Sequence, residues 1–457
     1  MKNPEIEYVT NTPSSYYIAL AAWRRGLNVT FIKNINNYRI TSLEKSLFFC
    51  SSAMVGGRYG LLTYATCKDK YKTKQLLQKN NINTPSGKLF DQFSSENEII
   101  LYTEQTGYPI VLKSNNGSRG VDVFPNIKNE TALIKAWESI SYKKSEFQFL
   151  VEKHIGGEDY KVFVVGEEAI AAYTRTPAKI IGDGEHSVKE LIEIRNRKRE
   201  KNPHFRVSLL EVDAVVTLLL QNEKLALDSI LPKGKVVYLC SKENVSVAGD
   251  LDDITSRIPV HLKMLAVKAI KSIPHLLNGS VDIRYSKEEC PEGSVLEINS
   301  MAQIAGHLFP SSGSPQDVTS KMIDFYFPES IKAKKRNSEM FFNMNTIEKH
   351  FETFPESDYT LAPAPVKETI RRMAVLHGDF TLPNIKYKIR NEARRLNLSG
   401  FIKSENSEQV EIVLSGEEGD IGLFEEFLEE GHIGVKSFEI KNYDKPITSG
   451  FYIDIDK

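Results

Sequence analysis

Apolar residues in the middle of the chain occur in short runs that are bounded by glycines and polar turns. The length of these runs and their content of valine, isoleucine, phenylalanine and tyrosine are typical of β-strands. Longer amphipathic stretches near residues 130–140 and 187–200 predict helices between the strands. The predicted strands lie at 109–114, 122–125, 147–155, 160–166, 168–176, 235–241, 280–285 and 294–300.

The start of the chain follows a different pattern. The first 65 residues predict a small α/β unit, with a helix that stops at Gly26, a strand after it, and a second buried strand at 43–50. The glycine-rich stretch at 53–60 is predicted to be a loop, and it could hold phosphate, although it lacks the GxGxxG spacing. A helix is predicted to follow from Lys68 to Lys79.

The end of the chain forms a separate pattern. From about residue 340 it reads strand, helix, strand, strand, helix, strand, which is the ferredoxin-like order. A basic, polar stretch at 332–338 indicates a linker or an exposed helix end. The chain is therefore expected to be a multidomain α/β and α+β protein, divided into 1–68, 69–330, a linker at 331–365, and 366–457.

Composition narrows the classes of function. The 457 residues carry a net charge of −1, so no overall basic field favours nucleic acid. The four cysteines show no CxxC spacing, which argues against structural zinc and fits a reducing cytosol. The opening residues lack the apolar core of a signal peptide, and no segment approaches the roughly 20 apolar residues of a membrane span. We expect a cytoplasmic enzyme or binding protein.

The most informative stretch is 279–307. Glu297 and Asn299 lie two apart on a predicted strand and therefore face the same way, and a hairpin would bring Asp282 alongside them. Three oxygen ligands on adjacent strands suit Mg²⁺. Two strands with scattered polar residues would give the same pattern.

Several upstream residues suit a nucleotide. Lys113 ends a strand before a glycine loop, where its ammonium group could neutralise phosphate while Gly117 and Gly120 let backbone amides approach; a surface hairpin would look similar. Exposed backbone groups at Glu152, Lys153, His154 and Ile155 could read an adenine edge, and Asp159 could bind ribose hydroxyls. A strand that ends in a charged turn is the alternative.

Arg175 and His186 occupy the next polar segment. An arginine fork suits a transferring phosphate or an acyl phosphate. The Gly-Asp-Gly at 182–184 is predicted to be a turn that aims His186, rather than a sign of direct catalysis by that residue.

Taken in order, these motifs resemble the ATP-grasp carboxylate–amine ligases, in particular the ATP-grasp modules of cyanophycin synthetase and bifunctional glutathione synthetase. The resemblance runs from about Asp69 to Ser320, through VLKSNNGSRG, LVEKHIGGEDYKVFVVG, TRTPAKIIGDGEHSVKELIEIRN, VDIRY and LEINS. It implies a pre-ATP-grasp domain at 1–68, an ATP-grasp fold of two α+β subdomains at 69–330, and dimers or tetramers.

The resemblance also implies roles for individual residues. Phosphates of ATP would be held by Lys70, Lys113 and the 115–120 loop, including Gly117, Ser118 and Gly120. The adenine hinge would be Glu152, Lys153, His154 and Ile155, with Asp159 on the ribose. Two Mg²⁺ ions, or Mn²⁺, would be held by Asp282, Glu297 and Asn299, with Asn299 also acting in catalysis. Arg175 would face the γ-phosphate and the acyl phosphate, and the substrate end would include Arg175, His186, Asn244, Ser246 and Ser300.

The chain departs from the family pattern mainly at the substrate end. Cys240 stands where arginine is frequent, Ala248 replaces a glycine, and Met301 follows Ser300 in place of small-residue and proline-glycine patterns. Lys161 also replaces a frequent arginine. These departures leave the identity of the carboxylate and amine substrates open.

The C-terminal segment resembles acylphosphatase over roughly 370–455. Lys386 occupies the position of the family's phosphate-binding arginine, Ser404 that of its water-orienting asparagine, and the loop glycines are replaced by Leu382 and Asn384. Lysine lacks the two-point grip of arginine on phosphate. We therefore predict a catalytically degenerate acylphosphatase-like domain.

The leading hypothesis is an ATP-dependent ligase that activates a carboxylate as an acyl phosphate and joins it to an amine of an amino acid or peptide. An ATP-grasp kinase and a non-catalytic nucleotide-binding regulator are the alternatives.

Overall fold

The computed structural model describes residues 12–50, 53–117, 121–141, 148–240, 249–333, 340–364, 369–381, 383–404, 406–430, 435–445 and 447–454. The chain forms two compact units. The terminal unit combines Met1–Phe49 with Met322–Lys457, and the central unit is Cys50–Lys321. Among the described residues, no helix has both the length and the apolar character needed to cross a membrane.

The terminal unit begins with a helix and an antiparallel pair of strands. Its first elements are α1 (Pro13–Arg24), β1 (Asn28–Ile32), β2 (Asn34–Thr41) and β3 (Ser46–Cys50). The helix ends just before Gly26, as expected, and buries most of its residues. β1 pairs antiparallel with β2, so this small α-plus-β layer is built without a helical crossover.

The central unit begins with a helix where the sequence predicts a glycine-rich loop. After β4 (Met54–Val55), α2 (Gly57–Lys68) starts at the second glycine and α3 (Lys70–Lys79) follows directly. A side chain at Gly60 would collide with the carbonyl oxygen of Val55, so the glycine lets the helix start close to the strand. The Asp69 carboxylate caps α3 by accepting from the Lys72 amide at 2.9 Å.

Two further layers of the central unit contain most of the predicted strands, while the strand predicted at 235–241 lies in a separate two-stranded sheet. The first is a four-stranded sheet in the order β5-β8-β6-β7, and the second is a five-stranded sheet in the order β13-β10-β9-β14-β15. The elements are β5 (Gly87–Asp91), α4 (Glu96–Thr106), β6 (Ile110–Ser114), β7 (Val123–Ile127), α5 (Glu130–Ser141), β8 (Gln148–Lys153), β9 (Glu158–Val165), β10 (Glu168–Thr176), β11 (Lys179–Ile181), α6 (Val188–Glu200), α7 (Ala214–Asn222), β12 (Val236–Tyr238), β13 (Asp250–Asp253), α8 (Val260–Ser272), β14 (Asn278–Ser286), β15 (Cys290–Asn299) and α9 (Ala305–Leu308).

Each layer has its own apolar core. One core lies between the four-stranded sheet and the helices α4 and α5, and it includes Phe90, Trp137 and Phe149. α8 packs on one face of the five-stranded sheet, where Val162, Val281 and other apolar residues alternate with polar ones. That alternation leaves the polar positions of these strands on the opposite face.

The rest of the terminal unit contains the last elements of the chain. They are α10 (Val318–Tyr326), a 3₁₀ helix (Pro328–Ala333), β16 (Met340–Phe341), α11 (Met344–Thr353), β17 (Asp358–Thr360), β18 (Ile370–Gly378), α12 (Pro383–Arg395), β19 (Ser399–Ser404), β20 (Gln409–Gly416), α13 (Glu418–Glu429), β21 (Val435–Asn442), β22 (Ile447–Thr448) and β23 (Phe451–Asp454). The sheet order β21-β18-β20-β19-β23 contains the predicted ferredoxin-like arrangement, with one added strand.

The prediction of a linker at 331–365 is wrong for its described residues. β17 pairs antiparallel with β1, with Thr30 opposite Thr360. The indole of Trp23 donates to the carbonyl of Ala362 at 2.7 Å, and the hydroxyl of Tyr16 donates to the carbonyl of Phe342 at 3.0 Å. The polar 332–338 stretch suggested a linker, but the apolar residues after it complete the layer that α1 begins.

Candidate active site

A row of charged side chains crosses the polar face of the five-stranded sheet. Asp282 lies opposite Glu297 on β15 and opposite Lys161 on β9, while Ser280 lies opposite Asn299. The hairpin expected from the sequence is therefore present, and it brings Asp282 alongside Glu297. On β10, Tyr173 lies opposite Lys161, so the row continues onto a fourth strand.

Asp282 is held by two of its neighbours. Its Oδ1 lies 2.5 Å from Nζ of Lys161, and its Oδ2 accepts from the Asn299 amide at 3.3 Å. Burial alone would raise the pKa of Asp282, but Lys161 and then Arg175 act more strongly together and lower it. The carboxylate is therefore ionised at neutral pH, as a cation ligand must be.

The chemistry of this set fits a hard divalent cation. Asp282 and Glu297 carry carboxylate oxygens at facing positions of one hairpin, and Asn299 adds an amide group on the same face. No cluster of three or more histidine, cysteine or acidic side chains suited to a metal occurs in the described part of the chain, and this set consists of two carboxylates and one amide. The amide oxygen and nitrogen are distinguished only by hydrogen bonding, and a flip presents the oxygen to a cation.

Lys70 lies close to this acidic end. It is the first residue of α3, is buried, and lines a small cavity together with Glu297. Its Nζ donates to the carbonyl of Gly117 at 2.6 Å, which ties the lysine to the glycine loop named in the sequence. Burial lowers the pKa of Lys70, and Glu297 acts in the opposite direction.

Lys113 belongs to a buried triad with Glu152 and Lys74. The position of Glu152 in this triad differs from the role in the adenine hinge that was predicted for it. The Glu152 carboxylate lies 2.5 Å from Nζ of Lys113 and 2.6 Å from Nζ of Lys74. Its backbone lies mid-sheet, opposite Gly87 on one side and Val111 on the other, so it cannot act as an exposed hinge. Burial alone would raise the pKa of Glu152. The two lysines, Lys113 and Lys74, lower the pKa by more than burial raises it, so the net shift is downward.

Lys74 was missed by sequence reasoning. It is four residues from Lys70 and therefore shares its face of α3, which was the available signal. Besides Glu152, its Nζ contacts the carbonyl of Pro85 at 2.5 Å.

The other three residues of the predicted hinge differ in the hydrogen bonds that they make. Lys153 Nζ donates to the carbonyl of Gly107 at 2.9 Å, and the His154 amide donates to the carbonyl of Pro109 at 3.1 Å. The Ile155 amide makes no hydrogen bond within the described part of the chain. An adenine edge would therefore find a free donor at Ile155, whereas the amide of His154 is already used.

Arg175 and Asp159 face each other at 3.5 Å across β10 and β9. Burial alone would lower the pKa of Arg175, but Asp282, Tyr173 and Asp159 raise it, so the guanidinium stays charged beside the row. Its position fits an anion-binding role, while a ribose role for Asp159 stays a prediction.

The remaining predicted residues lie in different settings. His186 is half-buried in a turn that Asp183 holds, with Nδ1 2.7 Å from the Asp183 carboxylate, as the Gly-Asp-Gly sequence indicated. Ser300 is buried beside the thiol of Cys67. Ser118, Gly120, Asn244 and Ser246 lie outside the described residues.

The C-terminal loop between β18 and α12 is arranged differently. The amides of Gly378 and Phe380 donate to the carbonyls of Glu408 and Ser407, both at 2.9 Å. The Asp379 carboxylate accepts from the amide and the hydroxyl of Thr381 at 3.1 and 2.6 Å. These three amides are therefore not available to an anion, and a carboxylate stands in the loop.

Two regions of the chain are similar to known protein families. Residues 67–183 match the RimK-like ATP-grasp domain, and residues 385–453 match acylphosphatase. The first match includes Lys70, Lys113 and Arg175 and ends before Asp282. ATP-grasp ligases use ATP and divalent metal ions.

Individual proteins are also similar to this chain. The chain is 28% identical over 322 residues to the glutathione biosynthesis bifunctional protein of Clostridium perfringens, covering 69% of this chain and 41% of that protein. It is 30% identical over 275 residues to cyanophycin synthetase of Crocosphaera subtropica, covering 59% and 31%. The chain thus spans about two fifths or less of the length of these relatives. A bifunctional glutathione synthetase structure from Pasteurella multocida shares the fold at 24% identity, with a TM-score of 0.50 over 64% of this chain and 41% of that one.

Proposed function

We propose that this protein is an ATP-dependent, ADP-forming ligase that joins a carboxylate to an amine of an amino acid or peptide. The observation that carries the proposal is the row formed by Lys161, Asp282 and Glu297, with Lys70 at one end and Arg175 at the other. Cations flank two adjacent carboxylates there, an arrangement that suits a site where several phosphate oxygens must be neutralised together.

The reaction has two displacements. A carboxylate oxygen of the substrate attacks the γ-phosphorus of ATP, the bond to the β-γ bridging oxygen breaks, and ADP leaves. The amine then attacks the acyl carbon, inorganic phosphate leaves, and the nitrogen loses a proton to give the amide. The first step is needed because a carboxylate offers an amine no usable leaving group.

In this proposal the residues of the central unit hold the reacting groups. Lys70 and Lys113 bind phosphate oxygens, and Arg175 binds the transferred phosphoryl group and the acyl phosphate. Glu152 orients Lys113, and the Ile155 amide receives the adenine edge. Two Mg²⁺ ions, for which Mn²⁺ could substitute, would be held by Asp282, Glu297 and Asn299 and would supply positive charge between the β- and γ-phosphates.

The acylphosphatase-like domain is proposed to lack phosphatase activity. Its described loop uses three amides internally and carries Asp379, and Lys386 replaces the arginine of the family. A hydrolase beside the ligase would destroy the acyl phosphate, so the loss is chemically consistent. The four free cysteines support a reducing, cytoplasmic setting. We also propose domain limits at 1–68, 69–330 and 366–457. A homodimer or homotetramer is a further part of the proposal.

The experiment is turnover of the purified chain with ATP, Mg²⁺ and pairs drawn from the twenty amino acids and their dipeptides. Release of ADP and phosphate in equal amounts, dependent on both a carboxylate and an amine, supports the ligase. ADP without free phosphate indicates a kinase, and retained ATP binding without turnover indicates a regulatory nucleotide-binding protein.

A further inference from the structure

His307 is a buried histidine that none of the roles above uses. It lies in the short helix α9 and is 2% exposed. Both ring nitrogens are buried, and neither has a hydrogen-bond partner within the described part of the chain. Buried polar atoms are normally paired, so an imidazole with two unpaired nitrogens points to a hydrogen-bonding partner from outside these residues.

The ring of His307 stands on the polar face of the five-stranded sheet. Its centroid is 4.6 Å from that of Tyr173 and 5.8 Å from that of Phe163. A side chain at Gly306 would approach Tyr173 and Leu251 too closely, at 3.2 and 2.7 Å, so the glycine allows α9 to lie against the sheet. His307 therefore sits directly beside the row that contains Lys161 and Asp282.

A second unpaired polar atom lies on the same face. Ser280 is 1% exposed, and its hydroxyl has no hydrogen-bond partner within the described residues. It lies opposite Phe163 on β9 and opposite Asn299 on β15. Ser280 and His307 thus lie around the same phenylalanine, beside the proposed reaction site.

The charges around His307 limit what it can bind. Burial first, and then Lys161, His204 and Arg175, lower the pKa of His307 to about 3. The ring is therefore neutral at physiological pH and offers one donor and one acceptor. It is too weak a base to take a proton from an ammonium group, so a recognition role fits better than base catalysis. A further cation beside Lys161 and Arg175 would be repelled, whereas a neutral amide would complement the ring.

We propose that His307, with Ser280, recognises an uncharged amide adjacent to the carboxylate that is activated, so that peptides and N-acyl amino acids are preferred over free amino acids. This inference rests on the proposed ligase function. An amide carries one donor and one acceptor, which matches the two unpaired nitrogens of the imidazole. A free α-ammonium group matches neither the charge nor the acceptor requirement of the site.

The test compares His307→Phe with the wild-type chain. Carboxylates are the twenty N-acetyl amino acids and their free forms, with ATP, Mg²⁺ and hydroxylamine as the amine, and the readouts are ADP and the hydroxamate. For the best N-acetyl compound, the wild type is expected to show a kcat/KM at least about tenfold above that of the free form. His307→Phe should lose about tenfold on the N-acetyl compound, with little change on the free form and an unchanged KM for ATP.

Stability separates recognition from a structural role. His307→Phe keeps a ring in place and removes two unpaired polar atoms, so its melting temperature should rise by roughly a few degrees. The matched control is His350→Phe in the terminal unit, where the ring bonds to the hydroxyl of Ser357 at 2.8 Å. That variant should melt lower and keep its kcat/KM. A lower melting temperature for His307→Phe, or unchanged kcat/KM for both carboxylate forms, would overturn the inference.

Failure of the proposed function is distinguishable. If no pair gives ADP, the ligase proposal fails, and the inference is judged by thermal shift with the N-acetyl amino acids and a non-hydrolysable ATP analogue. A shift in the wild type that is lost in His307→Phe supports the recognition site. Equal shifts in both proteins, or none in the wild type, overturn it.

Discussion

Two regions of this chain resemble phosphate-handling sites, and they differ in what their polar groups do. In the central unit, Lys161, Asp282 and Glu297 converge from three strands, and the Ile155 amide has no hydrogen-bond partner among the residues that the structure describes. In the C-terminal loop, the amides of Gly378, Phe380 and Thr381 already have acceptors inside the protein. A matching fold therefore does not define a working site; the hydrogen bonds left available to a ligand do.

The largest effect is expected from Glu297→Gln, which removes one of two carboxylates from the proposed cation site. Turnover should fall on the order of 100- to 1,000-fold, because one charged group acting on the transition state is lost in a buried site. ADP release under saturating ATP measures this.

Glu288→Gln is the matched control, since Glu288 is an exposed carboxylate in the turn of the same hairpin. It should behave as the wild type. Near-normal activity of Glu297→Gln would remove the contrast between the two regions.

The Lys74→Met variant tests how much the buried triad contributes to stability and to ATP binding. The change leaves Glu152 with Lys113 as its single cation, and we expect a loss of about 2 kcal/mol in the free energy of unfolding, below the 3–5 kcal/mol of a fully broken buried pair. The KM for ATP should rise as Lys113 loses its orientation. Urea unfolding and ATP titration measure the two effects.

Lys79→Met, on the exposed end of the same helix, should change neither quantity. Equal effects of the two lysine variants would show that the buried triad does not organise the site.

The pH dependence of stability follows from two histidines, the buried His307 and the half-buried His204. The pKa is lowered to about 3 for His307 and to about 4 for His204, mainly by burial, whereas the ordinary value is 6.5. The unfolded chain therefore takes up protons below about pH 6.5 that the folded chain does not, so stability falls as the pH drops. Each histidine contributes about 1.4 kcal/mol per pH unit in that window.

His307→Phe should remove about half of this slope between pH 6 and pH 5, as measured by urea unfolding at each pH. The lowered pKa values of Asp282 and Glu152 add a separate loss at more acidic pH, as those carboxylates are protonated. An unchanged slope in the variant would contradict the neutral, buried state of His307.

The smallest effect is expected from Lys386→Ala in the acylphosphatase-like domain. Ligase turnover should stay within about twofold of the wild type, since this lysine lies outside the central unit. The full chain should also fail to hydrolyse benzoyl phosphate above the uncatalysed rate. Clear hydrolysis that Lys386→Ala removes would show that the second region is a working site after all.

The sequence predicted the elements that depend on local periodicity. The position of Asp282 beside Glu297 followed from the two-residue period of strands and a short hairpin. The ferredoxin-like order of elements followed from the alternation of strand and helix patterns. It could not show that Glu152 is enclosed by two lysines, because that contact joins three elements that are distant along the chain.

Other errors have equally physical origins. Glycines at 56 and 57 suggested a loop, but a helix begins at Gly57, and Gly60 in its first turn lets it lie close to Val55, because a side chain at Gly60 would collide with the Val55 carbonyl. The polar character of 332–338 hid the elements that follow, where α11 packs on β2 and β17 pairs with β1. The sequence around His307 gave no signal of its role. What distinguishes His307 is that its ring nitrogens have no hydrogen-bond partner among the described residues, which only the folded structure shows.

The central claim is that a carboxylate is activated through an acyl phosphate, and its most direct measurement uses a substrate carboxylate labelled with ¹⁸O. Wild-type protein, ATP, Mg²⁺, the labelled carboxylate and an amine should release phosphate that carries one ¹⁸O atom, transferred from the carboxylate when the acyl–oxygen bond breaks. Unlabelled phosphate, or ADP formed with no phosphate released, would contradict the account.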